Sequence, residues 1–300
     1  MRRPHLITTI AATALVALTA AGCTNSEGTS GTAPSAGASS IAVSKNDALA
    51  AQLPDKVKSS GRLVVGVNVP YSPNEFKDPS GKIVGFDVDL VNAIAKTLGV
   101  TAEYKESDFA KIIPAVQQGT YDMGMSSFTD SKEREQQVDF VTYYSAGVQW
   151  AAPAGKSVDP NNACGLRVAV QSDTTEDTDE VPAKSKACTD AGKPAIDKVK
   201  FDSQADATNA VVLGKVDAMS ADSPVTAYAI KQSGGKLATA GAVFDSAPYG
   251  YPVAKGSALG PVLQKAVQSL IDSGAYLEIT KSWGVQAGAI PTAVINGAIN

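Results

Sequence analysis

The stretch SSFTDSKER, residues 126–134, follows a short apolar run (DMGM, 122–125) and ends in an arginine. Beyond residue 22 only Arg62, Arg134 and Arg167 remain, and lysine carries nearly all the other positive charge. A planar, permanently charged fork just after small hydroxyls suits a carboxylate, which it can grip through two hydrogen bonds. The segment also reads as a helix start, with Asp130 or Ser131 as N-cap and Glu133 in the first turn. Free N–H groups there, with Ser127 and Thr129, would join Arg134 around an anion. The plainer alternative is a surface helix whose arginine pairs with nearby acids, a contact that contributes at most about 1 kcal/mol.

A second stretch, QSDTTEDTDE (171–180), runs from a strand end through hydroxyls into an acidic helix start, and would expose N–H groups at Thr174 and Thr175. Ordinary capping explains it equally well. Asp222 follows the apolar run DAMSA and precedes Ser-Pro, so it is either an N-cap or a carboxylate aimed at an ammonium. An arginine with helix-end donors for a carboxylate, plus an aspartate for an ammonium, makes a clamp for an α-amino acid.

Other chemistries are excluded by what is missing. His5 is the only histidine and lies in the leader, so the rest of the chain can build no histidine triad, proton shuttle or His-ligated metal site. No cofactor or metal is expected. A formal net charge of −4, without a basic run, argues against nucleic acid as partner. Residues 1–22 form a signal peptide: two arginines, an apolar run from Leu6 to Ala21, then small residues. Ala20-Ala21-Gly22-Cys23 resembles a lipoprotein cleavage site, which makes Cys23 the expected lipid attachment point, with a plain signal peptide as the alternative. Residues 23–55, low in apolar bulk at first, are expected to be a flexible tether spanning on the order of 30 Å. In an exported chain the remaining pair, Cys164 and Cys188, reads as a disulfide, and two free thiols are the alternative.

The elements that must position the clamp alternate almost throughout. Strands are expected at 63–67, 101–106, 121–126, 166–171, 198–201 and 217–221. Helices are expected at 86–99, 112–119, from about 174, at 205–214 and at 224–232. Such alternation gives parallel sheets with helices on both faces, where ligands bind beyond the carboxyl ends of strands. GTYDMGMSS (119–127) and GKVDAMSAD (214–222) echo one another, which suggests two lobes of similar build.

The segments GKIVGFDVDLVNAIAKTLGV and SDFAKIIPAVQQGTYDMGMSSFTDSKEREQQVDF resemble the extracellular solute-binding proteins for polar amino acids, over nearly all of residues 60–290. The resemblance implies an α/β, two-lobed type II periplasmic-binding-protein fold: lobe 1 from 56–150 plus 251–300, lobe 2 from 151–250, joined by two crossing strands. It implies that Thr129, Arg134 and the Ser127 backbone grip an α-carboxylate, that Phe109 and Tyr71 flank the ligand side chain, that Thr175 contributes from lobe 2, and that Asp222 takes the ammonium. Gly85 and Asp87 of GFDVDL are expected to be a packing turn and a helix cap. Specificity is expected from Asn68, Glu75 and Asp108, and Asn68 stands where relatives that prefer cationic side chains often carry an acid, which weakens a lysine or arginine reading. Asp173 replaces a turn glycine, and as an aspartate it tolerates a positive φ. The implied protein is no enzyme: it is a monomeric, lipid-anchored receptor on the outer face of the cell membrane that hands an amino acid to an ABC permease. Its alternatives are a dehydratase-like enzyme or a ligand sensor on the same scaffold.

Overall fold

A computed structural model describes residues 41–299. In chain order the elements are α1 (Asp47–Ala50), α2 (Asp55–Ser60), β1 (Arg62–Val67), β2 (Phe76–Lys77), β3 (Ile83–Val84), α3 (Phe86–Leu98), β4 (Thr101–Glu106), α4 (Phe109–Gln117) and β5 (Met123–Gly124). Then follow β6 (Val138–Pro153), β7 (Arg167–Gln171), α5 (Val181–Asp190), β8 (Asp197–Phe201), α6 (Gln204–Val212), β9 (Ala218–Asp222), α7 (Ser223–Gln232), β10 (Leu237–Ala254), α8 (Leu259–Asp272) and α9 (Ala275–Ser282).

Two sheets carry the architecture. The first, in the order β4-β1-β5, is parallel, and β1 buries Leu63, Val65 and Val67 completely. Helix α3 lies on it through Val88, Val91 and Leu98, and stops at Gly99, whose φ of 69° suits a glycine. The second sheet has the order β10-β6-β9-β7-β8, with β7 parallel to both β8 and β9. Strands β6 and β10 pair antiparallel along their length, from Val138 opposite Ala254 to Pro153 opposite Leu237. The start of β6 and the end of β10 enter one core, through Val141, Tyr143, Tyr249 and Tyr251. Val148 and Trp150 of β6 enter a second core beside Val168 and Val170. The changeover therefore runs along residues 146–148 of β6, and this pair of strands is the structural link between the lobes. The disulfide Cys164–Cys188 ties the start of β7 to the end of α5.

Three expectations are corrected. Residues 46–55 are no free tether: Leu49 and Leu53 are buried in the first core, and the N–H of Asn46 donates to the Thr97 carbonyl. Apolar residues at 41, 43, 49 and 53 give this stretch enough surface to dock. No helix begins at Asp130; there is only a 3-10 turn, Arg134–Gln136, because the Asp130 carboxyl that would cap a helix is engaged by the Gly297 N–H instead. Asp87 does not cap α3: its side chain turns inward, and the Gly85 position is uncapped by any side chain. Gly85 is the packing turn expected, since a Cβ there would stand 2.1 Å from the Asn74 carbonyl oxygen.

Candidate functional site

The carboxyl ends of β1, β5, β7 and β9 converge on a narrow cavity between the lobes. It is lined by Asn68, Tyr71, Phe109, Ser126, Ser127, Thr129, Arg134, Gln171, Thr174, Thr175, Glu176 and Asp222. The lobes touch around it. The Tyr71 hydroxyl donates to Asp222 Oδ2 at 2.5 Å, and Gln171 Nε2 donates to Asn68 Oδ1 at 2.9 Å.

Arg134 reaches the cavity from the turn before β6. Its Nη1 donates to the Thr129 carbonyl and its Nη2 to the Asp173 carbonyl, both at 3.0 Å, the second across the lobes. Asp173 supplies that carbonyl from a φ of 63°, a left-handed conformation that an aspartate tolerates. Its own side chain is exposed and outside the lining. The guanidinium carbon stands 5.6 Å from the Phe109 ring and 5.7 Å from that of Phe128. These rings stack on each other at 4.3 Å, so Phe109 has one face packed and its other side toward the cavity.

Ser127 has a φ of 52°, and its hydroxyl is used behind the cavity: it accepts from Asn74 Nδ2 at 2.8 Å and donates to Asp87 Oδ2 at 3.1 Å. What Ser127 can give a ligand is therefore its backbone. The Ser126 hydroxyl donates to Glu75 Oε1 at 2.9 Å, and Tyr143 donates to Asp87 Oδ2 at 2.7 Å. Glu75 and Asp87 thus form a buried carboxyl pair that holds both serines from behind. Burial raises both, Asp87 to about 6, and the Asp87 charge raises Glu75 further.

Asp222 ends β9 and opens α7, but its side chain makes no cap hydrogen bond and points to the cavity. Burial raises its pKa and the Glu176 charge adds to this, while Tyr71, Tyr249 and Arg134 favour the ionised form. Glu176, in the first turn of a π-helical stretch Glu176–Glu180, is buried and has Oε1 without a hydrogen-bond partner. Burial raises it too, opposed by backbone N–H, Thr174 and Arg134.

Of the residues expected at the site, Tyr71, Phe109, Ser127, Thr129, Arg134, Thr175, Asp222 and Asn68 come together on one cavity wall or the other. Glu75 stands one layer behind, and Asp108 is elsewhere, exposed and paired with Lys111 at 2.5 Å. Gln171, Thr174, Glu176 and Ser126 complete the lining. The acid missed, Glu176, was hidden in an acidic run that reads as helix-start chemistry; its position directly after the Thr174-Thr175 pair was the available signal. Cys23 lies outside the described residues.

Two α/β lobes, a pair of crossing strands and a polar cavity at the facing strand ends define the two-lobed binding-protein class. Residues 63–286 match the family model for bacterial extracellular solute-binding proteins, family 3, and the chain belongs to that family. It is 41% identical over 248 residues to the arginine-binding protein ArgT of Corynebacterium glutamicum, covering 82% of each chain. Among solved structures it is similar to an ancestral arginine-binding protein bound to arginine, with 36% identity and a TM-score of 0.69, covering 75% of this chain and 98% of that one. An ancestral arginine-binding protein bound to glutamine matches with 35% identity and a TM-score of 0.68, over 75% and 98% of the two chains.

Proposed function

We propose that this chain is the capture receptor of an amino-acid ABC importer, and that its ligand is an α-amino acid with a cationic side chain, arginine before others. The observation that carries the reading is a charge count. The cavity brings together one guanidinium, Arg134, and two carboxyl groups, Asp222 and Glu176. An α-carboxylate on Arg134 and an α-ammonium on Asp222 leave Glu176 as an uncompensated buried acid, which is costly unless paired or protonated. A guanidinium from the ligand removes that cost, and its planar fork suits the open Oε1 of Glu176. Phe109 would stack along the aliphatic part of the side chain, with Thr129, Thr175 and the Ser127 backbone completing the carboxylate clamp. The arginine-binding relatives support the same ligand. Asn68, in place of an acid on the first lobe, does not weaken this reading, because Glu176 brings the acid from the second.

The proposal extends to the setting. The signal peptide of residues 1–22 is removed, Cys23 is lipidated, and a tether holds a monomeric domain at the outer face of the membrane beside its permease. Globomycin-sensitive processing with a Cys23→Ala control tests the anchor: retention in the membrane fraction should be lost in the variant.

Calorimetric titration of the chain against the twenty common amino acids tests the ligand. Arginine is expected to bind most tightly. Glu176→Gln should lower arginine affinity by at least tenfold while leaving glutamine binding within about threefold. Equal loss for both ligands would assign Glu176 to the ammonium instead. Because ligand cations favour the ionised form of both acids, binding near neutral pH should release protons. Titration in buffers of different ionisation enthalpy measures this, and proton uptake would contradict the charge count.

A further inference from the structure

The cavity arginine stands on a segment with little structure of its own. Between Ser127 and β6 the chain makes a single 3-10 turn, Arg134–Gln136. One side is fixed to β10: the Asp130 N–H donates to the Pro248 carbonyl, and Thr129 bridges to Tyr249. The other side is fixed by the far end of the chain. Asp130 Oδ2 accepts from the Gly297 N–H at 2.6 Å, and Glu135 Oε1 accepts from the Ala298 N–H at 3.1 Å. These two acids flank Arg134 in sequence and both are buried, and Glu135 Oε2 also accepts from Lys132 Nζ at 3.2 Å.

The tail that supplies those donors is itself anchored. Val294 and Thr142 exchange hydrogen bonds, the Asn296 side chain accepts from the Phe140 N–H at 2.9 Å, and Gln268 Oε1 accepts from the Ala293 N–H at 3.0 Å. Asn296 adopts a φ of 55°, which turns Gly297 and Ala298 toward the two acids. Ala293 is fully buried. The family match ends at residue 286, so this strap lies beyond what the family model covers.

We infer that residues 293–298 are a working part of the binding site: a C-terminal strap that positions Arg134 by holding Asp130 and Glu135. Asp130 Oδ1 has no partner, so losing the Gly297 N–H would leave a buried acid with no donor to its side chain at the base of the turn that carries Arg134, and the turn should loosen with it. The strap thereby couples the chain end to ligand affinity, and by linkage the ligand should in turn tighten the strap. The ligand arm of the test rests on the amino-acid reading above; the other arm does not.

The test compares the full chain with a truncation after residue 292 and with Asp130→Ala. Side-chain ¹⁵Nε NMR of arginine, with the Arg134 signal assigned by its loss in Arg134→Ala, is recorded without ligand. Both variants should shift and sharpen the Arg134 signal as it gains freedom, and leave those of Arg62 and Arg167 in place. With arginine as probe, both should bind at least tenfold more weakly, and the peptide PTAVINGAIN (residues 291–300) should restore the truncated chain saturably. If truncation fails to fold, hydrogen exchange on the full chain decides: arginine should slow the Gly297 and Ala298 amides. An unmoved Arg134 signal overturns the strap whatever the ligand proves to be. So does an affinity within twofold of the full chain, or tail exchange indifferent to bound ligand. A chain that binds no amino acid, yet shows the Arg134 shift, sinks the ligand reading and leaves the strap standing.

Discussion

Arg134 is held by two backbone carbonyls and two aromatic rings, and none of these neutralises it. Burial pulls its pKa down, and the opposing charges are Glu176, Asp179 and Asp222 in the facing lobe, with Glu133 on its own turn. A positive group so placed is a poor stabiliser of the closed lobes alone and a good receptor for a carboxylate that arrives with its own counter-charge. Arg134→Ala should therefore cost about 2–5 kcal/mol in ligand binding, read by calorimetry, with little change in melting temperature. Arg134→Lys should recover less than half of that loss, because an ammonium cannot make the paired contacts of the fork. A full rescue by lysine would mean that only charge matters at this position. Arg134 and Asp222 were legible in the sequence because their types are chemically narrow: a rare arginine, and an aspartate at a strand end. Glu176 was not, since one acid in a run of acids carries no mark of which one faces inward. Glu75 was visible as an acid near the site, but nothing in its spacing showed that Ser126 and Ser127 would stand between it and the ligand.

At the scale of elements, the periodic segments were legible and the turn that matters most was not. Apolar spacing located α3 within a residue, and Val88, Val91, Ala95 and Leu98 along it are buried. The expected helix at 130 failed because capping signals are local, whereas Asp130 Oδ2 accepts from the Gly297 N–H, a partner 167 positions away in sequence. Asp130 has a physical signature that can be measured. Burial raises its pKa to about 7, with the Glu135 charge adding and the Gly297 N–H opposing. Glu180 is raised by burial to about 7 as well, although Ser220 and Trp150 donate to it. Both exceed the ordinary carboxyl values of about 4 in an unfolded chain, so the folded state binds more protons between about pH 4 and 7. Stability is then greatest below that window and falls as pH rises through it, by up to about 1.4 kcal/mol per pH unit for each group. Urea unfolding from pH 4.5 to 8 should show the decline, and Glu180→Gln should flatten its share of it. A stability that rises across this range would contradict the burial of both acids. The disulfide acts on the same lobe as Glu180: closing a loop over a separation of 24 residues is expected to contribute about 3 kcal/mol. Cys164→Ser with Cys188→Ser should thus lower the unfolding midpoint and leave ligand affinity nearly unchanged, since neither sulfur lines the cavity.

For the whole molecule, the long strands β6 and β10 set what can move. Each passes from one core to the other, so a small change of backbone angles near Ala146–Val148 swings one lobe against its neighbour while both cores stay packed. The present arrangement is the closed one, with Tyr71 on Asp222, Asn68 on Gln171, Arg134 on the Asp173 carbonyl, and Phe76 beside Tyr228 with ring centroids 6.4 Å apart. A ligand that bridges Arg134 and Glu176 adds its contacts to that closed set and to no open one, which is the condition for shifting the population. Tyr71→Phe removes one closed-state contact and leaves the ring in place. Losing a hydrogen bond to a buried acid should weaken binding by about 1.5–3 kcal/mol, roughly tenfold or more. The change should appear in the dissociation rate, because the open state that captures ligand does not contain the bond. Gln171→Ala should act likewise, since the Asn68–Gln171 bond also bridges the lobes. Stopped-flow kinetics with small-angle scattering separates the alternatives. Faster release, with the same compact radius at saturation, supports a closure latch; slower capture with unchanged release would place Tyr71 in the encounter step and remove the latch.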